Sequence, residues 1–203
     1  MKRLHRKDLY CWSTFYEPLN IDFHGIAWIR KDGNVVIDPV VMSEHDLEHL
    51  QRLGGAAWIL LTNSDHVRDT AKLVERFGAQ VIGPRAERDR FPLPVARWLG
   101  EGETPFPSMR VLEMHGSKTP GELALVLDED TLITGDLVRA HRAGSLMMLS
   151  EEQGLKDRER AVASIERLRG FSGVRHVLVN DGWQLFHDAP RQLELLMNQL
   201  RGA

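Results

Sequence analysis

With 203 residues, 42% of them hydrophobic and 27% charged, the chain can bury a sizeable core without disulfides or a structural metal; it is read as one domain spanning 1–203. Its single cysteine, Cys11, excludes a disulfide framework and a cysteine-rich zinc site. Lys+Arg 26 against Asp+Glu 29 leave a formal net charge of −3, a field that does not steer the chain toward nucleic acid or an anionic membrane.

The basic start, Met1-Lys2-Arg3-Leu4-His5-Arg6-Lys7-Asp8, runs into the mixed stretch Trp12 to Glu17 rather than an apolar core, so no secretory signal is read. A cytoplasmic protein is the expectation, with Cys11 free, buried and inert. His24 to Ile29 and Asn34 to Val41 are β-rich runs around Lys31-Asp32-Gly33, which predicts a hairpin. Ser43 caps a helix with Leu47, Leu50 and Leu53 on one face, ending at Gly54-Gly55. Ala56 to Thr62 is an apolar run suited to a strand covered on both faces. A helix over about Val67 to Phe77, stopped by Gly78, and a strand over Gln80 to Pro84 complete a β-α-β unit.

Arg85 to Ser108, with Pro92, Pro94, Pro105 and Pro107, reads as a surface excursion or lid. Strands follow at Met109 to His115, Glu122 to Leu127 and Thr131 to Thr134. Ala161, Ile165 and Leu168 mark a helix over Asp157 to Leu168. Arg175 to Val179 is a strand, and Leu193, Leu196 and Leu200 mark a closing helix from Ala189. Two sheets face to face with helices outside is the layered solution. Polar clusters sit at successive strand ends: Thr62-Asn63-Ser64-Asp65-His66, His115-Gly116-Ser117-Lys118-Thr119-Pro120-Gly121, Thr134-Gly135-Asp136 and Asn180-Asp181-Gly182. If those ends share a rim, they form a pocket on a rigid scaffold.

In this order the clusters resemble the metallo-β-lactamase superfamily. That family has a His-x-His-x-Asp-His loop after a buried strand, then Gly-His-Thr-Pro-Gly, Gly-Asp after a strand, and a late Gly-His-Gly. Asn34 to Pro39 looks like its early strand with an aspartate, Asp38; Thr119-Pro120-Gly121 and Leu132 to Asp136 match closely, and Asn180-Asp181-Gly182 is similar to the last motif with its histidine replaced. The resemblance implies an α/β fold, a four-layer αββα sandwich of two mixed β-sheets, with the site along one edge.

The family's histidines hold two metal ions, and this chain departs from them. Asp65 and His66 take the Asp-His pair, which places Leu61 and Asn63 at the first two histidines; alternatively the loop is two residues shorter, with Asn63 standing for one histidine and the other missing. Leucine offers no donor and an amide oxygen is a poor one for zinc. Lys118 takes the third histidine position, and an ammonium cannot bind a cation. Asp65, His66, Asp136 and Asp181 remain as a metal set, oxygen-rich and suited to one divalent ion, Mn, Fe, Zn or Mg, or to none.

Two readings follow from the resemblance. In the first the dinuclear site is degenerate, two-metal hydrolysis is lost, and the edge is a cleft for a small molecule or partner. In the second a single ion supports hydrolysis of a small ester, thioester or lactone, with Lys118 stabilising the oxyanion and Asp136 as ligand. On the first, Lys118 is the carboxylates' only counter-charge and its removal destabilises the protein. Neither nucleic acid nor membrane is expected as a partner; a homodimer is compatible with the sequence. The plainer readings are that Asp65 caps a helix, Asp181 closes a turn, His115 and His24 are structural, His187 lines a pocket mouth, and Trp12, Trp58 and Trp183 are core or pocket wall. Arg68 and Asp69 stand where the family often has small glycines, narrowing the pocket.

Overall fold

The longest pairing in the molecule is one that the composition of its strands conceals. In the computed structural model, which describes residues 1–202, β1 (Lys2–Arg3) borders β2 (Leu9–Tyr16), and β2 pairs antiparallel with β3 (Ile21–Trp28) from Leu9 opposite Trp28 to Tyr16 opposite Ile21. The outer end of β2 carries Ser13, Thr14, Phe15 and Tyr16, so no clean alternation marks it. Gly33, at φ +99°, turns the chain into β4 (Val35–Ile37), antiparallel to β3 as the Asp-Gly signal predicts.

α1 (Glu44–Arg52) starts at Ser43, whose side chain accepts the Asp46 N–H, and buries Leu47 and Leu50. β5 (Trp58–Leu60) then adds parallel to β4. α2 (Thr70–Phe77) begins later than the periodicity predicts, because a 3-10 turn occupies Ser64–His66 and Arg68 takes φ +31°; it ends at Gly78 in the left-handed region. β6 (Gln80–Pro84) pairs parallel to β5. The 85–108 segment is not a free lid: Arg85–Arg90 is a 3-10 helix, and β7 (Arg97–Leu99) pairs parallel with β6, closing a seven-stranded mixed sheet in the order β1 to β7.

β8 (Met109–Met114), β9 (Glu122–Leu127) and β10 (Thr131–Thr134) form an antiparallel meander. β11 (Val138–Arg142) and β12 (Ser145–Met148) make a ribbon that the sequence reading misses. α3 (Arg158–Glu166) is capped by Asp157, β13 (His176–Val179) joins β10 in parallel, and α4 (Ala189–Arg201) closes the chain. The second sheet has the order β13-β10-β9-β8.

Side-chain alternation shows the four layers. In β9, Leu123, Leu125 and Leu127 face the central core with Ile26, Ile37, Leu60 and Ile82 of the first sheet, while Ala124 and Val126 face the core under α3 and α4. Ile59, one residue from Leu60, turns to the opposite core with Leu47, Leu50 and Leu73 under α1 and α2. Each fully buried leucine or isoleucine contributes about 1.5–3 kcal/mol, offset by the entropy of ordering the chain. Trp12 is core, but Trp183 is 59% exposed, against the expectation of core or pocket wall. Among the described residues no helix is long and apolar enough to cross a membrane.

Parallel β4 and β5 end at one rim, as do parallel β10 and β13; the turn before antiparallel β9 lies there too. Backbone bonds lace the sheets at this rim: Leu123 N–H to Thr62 O at 2.8 Å and His24 N–H to Asn180 O at 2.9 Å.

Candidate functional site

Asp38 follows β4 at φ +46° and is fully buried. A buried carboxylate needs donors, and it has four: Thr62 N–H at 2.7 Å, Thr62 Oγ–H at 2.6 Å, His66 Nδ1–H at 3.0 Å and the Asn180 amide. It thereby ties together the loop after β5 and the end of β13. With Nδ1–H given to Asp38, the other face of His66, Nε2, points toward Asp136, 3.6 Å from its Oδ1 and too far for a good hydrogen bond. Burial and the Arg68 guanidinium oppose the imidazolium, but the Asp38 and Asp136 carboxylates outweigh them and lift His66 to about 10.

Asp136 follows β10 and is 1% exposed. Its Oδ2 accepts from Lys118 Nζ at 3.0 Å and from the Asn63 amide at 3.1 Å. Its Oδ1 accepts from Arg139 at 2.9 Å. Burial alone would raise this carboxyl, yet His66, Lys118 and Arg139 hold it well below the ordinary carboxylate range. The same Arg139 nitrogen lies 3.2 Å from Asp181 Oδ2, so one guanidinium bridges both carboxylates. Arg68, stacked over Phe23, lies 3.6 Å from Asp181 Oδ1.

Behind Asp136, Glu122 accepts from Ser117 Oγ at 2.6 Å and from Leu137 N–H at 2.9 Å, and burial together with the Asp136 charge pushes it up to about 7. The side chain packs against Gly135, where a Cβ would meet Glu122 Cδ at 2.9 Å, so the Gly before Asp136 is sterically required.

Of the residues predicted for the site, His66, Asp136 and Asp181 converge, each offering a ligand atom within 4.8 Å of the others. Lys118 joins them through Asp136. Asp65 does not: its side chain is 50% exposed and, among the described residues, pairs only with Lys118 Nζ, at 3.4 Å. Nor does it cap a helix, since Asn63 is the cap and accepts the Asp65 N–H. Leu61 packs in the core under α1 and α2, and His115 lies off the site, 3.9 Å from Glu113.

The expectation that Lys118 is the only counter-charge is corrected. Arg139 is the principal one: it is 3% exposed, whereas Lys118 is 28% exposed. The sequence did carry a signal for it, a lone charge in the apolar run Leu137-Val138-Arg139-Ala140 three residues after Asp136. Glu122 is missed by the sequence reading, which names Thr62 only within a strand-end cluster, because their roles come from contacts beyond their own chain segments: Thr62 with Asp38, and Glu122 with Ser117 and Leu137.

A two-ion centre does not fit these residues. One position has Leu61 in the core, Asn63 with its amide nitrogen donating to Asp136 and its oxygen already taken by the Asp65 N–H, and an ammonium at Lys118. At the other, His66 Nε2 and Asp181 Oδ1 are buried without a hydrogen-bond partner among the described residues, a mark of a place for a ligand. An ion there would have to displace Arg139, which already neutralises Asp136 and Asp181.

The profile of the metallo-beta-lactamase superfamily matches residues 1–200. Among solved structures, DIM-1 metallo-beta-lactamase superposes with a TM-score of 0.76 at 14% identity, covering 99% of this chain and 96% of that one. A metallo-beta-lactamase from Pontibacter korlensis gives 0.75 at 15% identity, covering 99% and 98%. TTHA1623, solved in a di-iron-bound form, gives 0.67 at 25% identity, covering 91% and 96%.

Proposed function

Because the chain belongs to the metallo-β-lactamase superfamily, we propose that its rim is that family's site with positively charged side chains in the role of metal ions, lacking ordinary two-metal hydrolysis and serving as a binding cleft for a small molecule. The observation that carries this reading is the Arg139 guanidinium set between Asp136 and Asp181, with Lys118 on the other side of Asp136. TTHA1623 was solved in a di-iron-bound form; here the rim carboxylates Asp136 and Asp181 are held by side-chain cations instead. The occupant is a small molecule rather than nucleic acid or a membrane, in keeping with the formal net charge of −3.

A second reading is favoured by the unpartnered His66 Nε2 and Asp181 Oδ1. It is a single divalent ion held by His66, Asp136 and Asp181, the ion taking the place of the proton on His66 Nε2 and supporting hydrolysis of a small ester, thioester or lactone, with Lys118 facing the developing oxyanion. The donor set, one nitrogen and two carboxylates, suits manganese or iron as well as zinc.

Elemental analysis of protein purified without chelator separates the two. The first reading expects well under one ion per chain and no rise in melting temperature with manganese, iron(II) or zinc. One ion per chain, lost in Asp136→Asn and Asp181→Asn along with an esterase activity that chelator abolishes, would overturn it in favour of the second.

A further inference from the structure

Outside that site, one nucleophile and one base face each other. Ser13 on β2 and His24 on β3 are directly opposite in register, and Ser13 Oγ lies 2.9 Å from His24 Nδ1. On its other side, His24 Nε2 lies 2.5 Å from the Gly182 carbonyl oxygen. A carbonyl can only accept, so the ring proton sits on Nε2 and the lone pair on Nδ1, where it takes the Ser13 hydroxyl hydrogen bond. The third member thus fixes the tautomer of the second, as an aspartate does in a serine triad. His24 is 7% exposed, whereas Ser13 is exposed to solvent.

Both residues line a cavity of about 460 Å³, with Leu4 and Phe186 as apolar wall and Lys2 and Arg3 as its positive charge. That size suits a small organic ligand. Cys11 also borders it, with Sγ 3.6 Å from His24 Nδ1, but burial pushes its thiol up to about 12, which leaves the serine as the nucleophile.

We propose that Ser13, His24 and the Gly182 carbonyl form a metal-independent acyl-transfer site for small esters with an apolar acyl group. Ser13 Oγ bonds to the ester carbonyl carbon as its proton passes to His24 Nδ1. The resulting imidazolium keeps its Nε2–H on Gly182, and the oxyanion faces the charge of Lys2 and Arg3. The carbon–oxygen bond to the leaving alcohol then breaks, the alcohol taking the proton from Nδ1. Water, giving a proton to Nδ1, attacks the acyl-serine; the acid departs and Ser13 regains its proton.

The test uses the whole chain in chelator, with para-nitrophenyl butyrate as substrate and diisopropyl fluorophosphate as covalent probe. The expected results are hydrolysis unaffected by chelator and a phosphoryl adduct that peptide mass spectrometry places on Ser13. Ser13→Ala, at an exposed position and therefore folded, should lose the adduct and at least about 100-fold in rate. His24→Gln should do the same, provided its melting curve shows a folded chain. Absence of an adduct on Ser13, or equal hydrolysis by Ser13→Ala, would overturn the proposal. Hydrolysis abolished by chelator and intact in Ser13→Ala would overturn it too, and would speak instead for the single-ion reading of the other site.

Discussion

Replacing Arg139 with methionine removes the guanidinium while keeping a side chain of similar length. The group it removes lies 2.9 Å from Asp136 and 3.2 Å from Asp181 and is 3% exposed, so solvent cannot take over its role. Asp136 keeps Lys118 and Asn63; among the described residues Asp181 keeps only Arg68 as a cation, at 3.6 Å. Breaking a buried pair by deleting one partner costs about 3–5 kcal/mol, which for a chain of this size is a fall of about 6–20 °C in melting temperature. Asp136 titrates far below its ordinary range in the folded chain, so its contribution is present above about pH 4 and is lost only as pH falls through the folded value. Without Arg139 the folded value rises. The deficit in Arg139→Met is therefore largest at neutral pH and shrinks in acid, and adding Asp136→Asn recovers at least about 1 kcal/mol. Calorimetry and urea midpoints across pH measure both effects. A loss below about 1 kcal/mol at pH 7, or strictly additive single variants, would refute the bridging role of Arg139.

Lys118→Ala costs only about 1 kcal/mol in the urea midpoint, because Arg139 and Asn63 still serve Asp136; a loss as large as that of Arg139→Met would reverse their ranking. Cys11, whose thiol burial pushes up to about 12, stays unmodified by iodoacetamide near neutral pH and is alkylated only at the rate of unfolding, as mass spectrometry will read. Burial and then the neighbouring His176 lower His5 to about 4. The unfolded chain therefore binds that proton more readily between about pH 6.5 and 4, and stability declines as pH drops through this window. His5→Asn flattens the decline, by under about 1 kcal/mol because the residue is only partly shielded from solvent, and an unchanged slope of urea midpoint against pH would contradict it.

Much of the fold was legible because its signals are local. Ser43 before Leu47 and Leu50, Gly78 after a helical stripe, and Asp32-Gly33 between apolar runs each fix an element through its own backbone chemistry. β2 was not legible: its apolar residues are interrupted by Ser13 and Thr14, and it is held by a partner strand rather than by pattern. β7, three residues in a proline-rich segment, exists only because β6 offers an edge. Within the site, strand-end motifs placed His66, Asp136 and Asp181, and the spacing after the loop marked Asp65, which the 3-10 turn leaves half exposed.

The amino-acid order by itself pointed to the layered architecture and to His66, Asp136 and Asp181 as candidate ligands, since both rest on residue type at fixed positions along the chain. The tertiary structure decided the electrostatics. Only folding brings Arg139 between two carboxylates from the ends of different strands, aims Asp38 at His66, and sets Ser13 against a histidine held by Gly182. Charge interactions depend on separation in space and on exclusion of water, and neither is written in the distance between residues along the sequence.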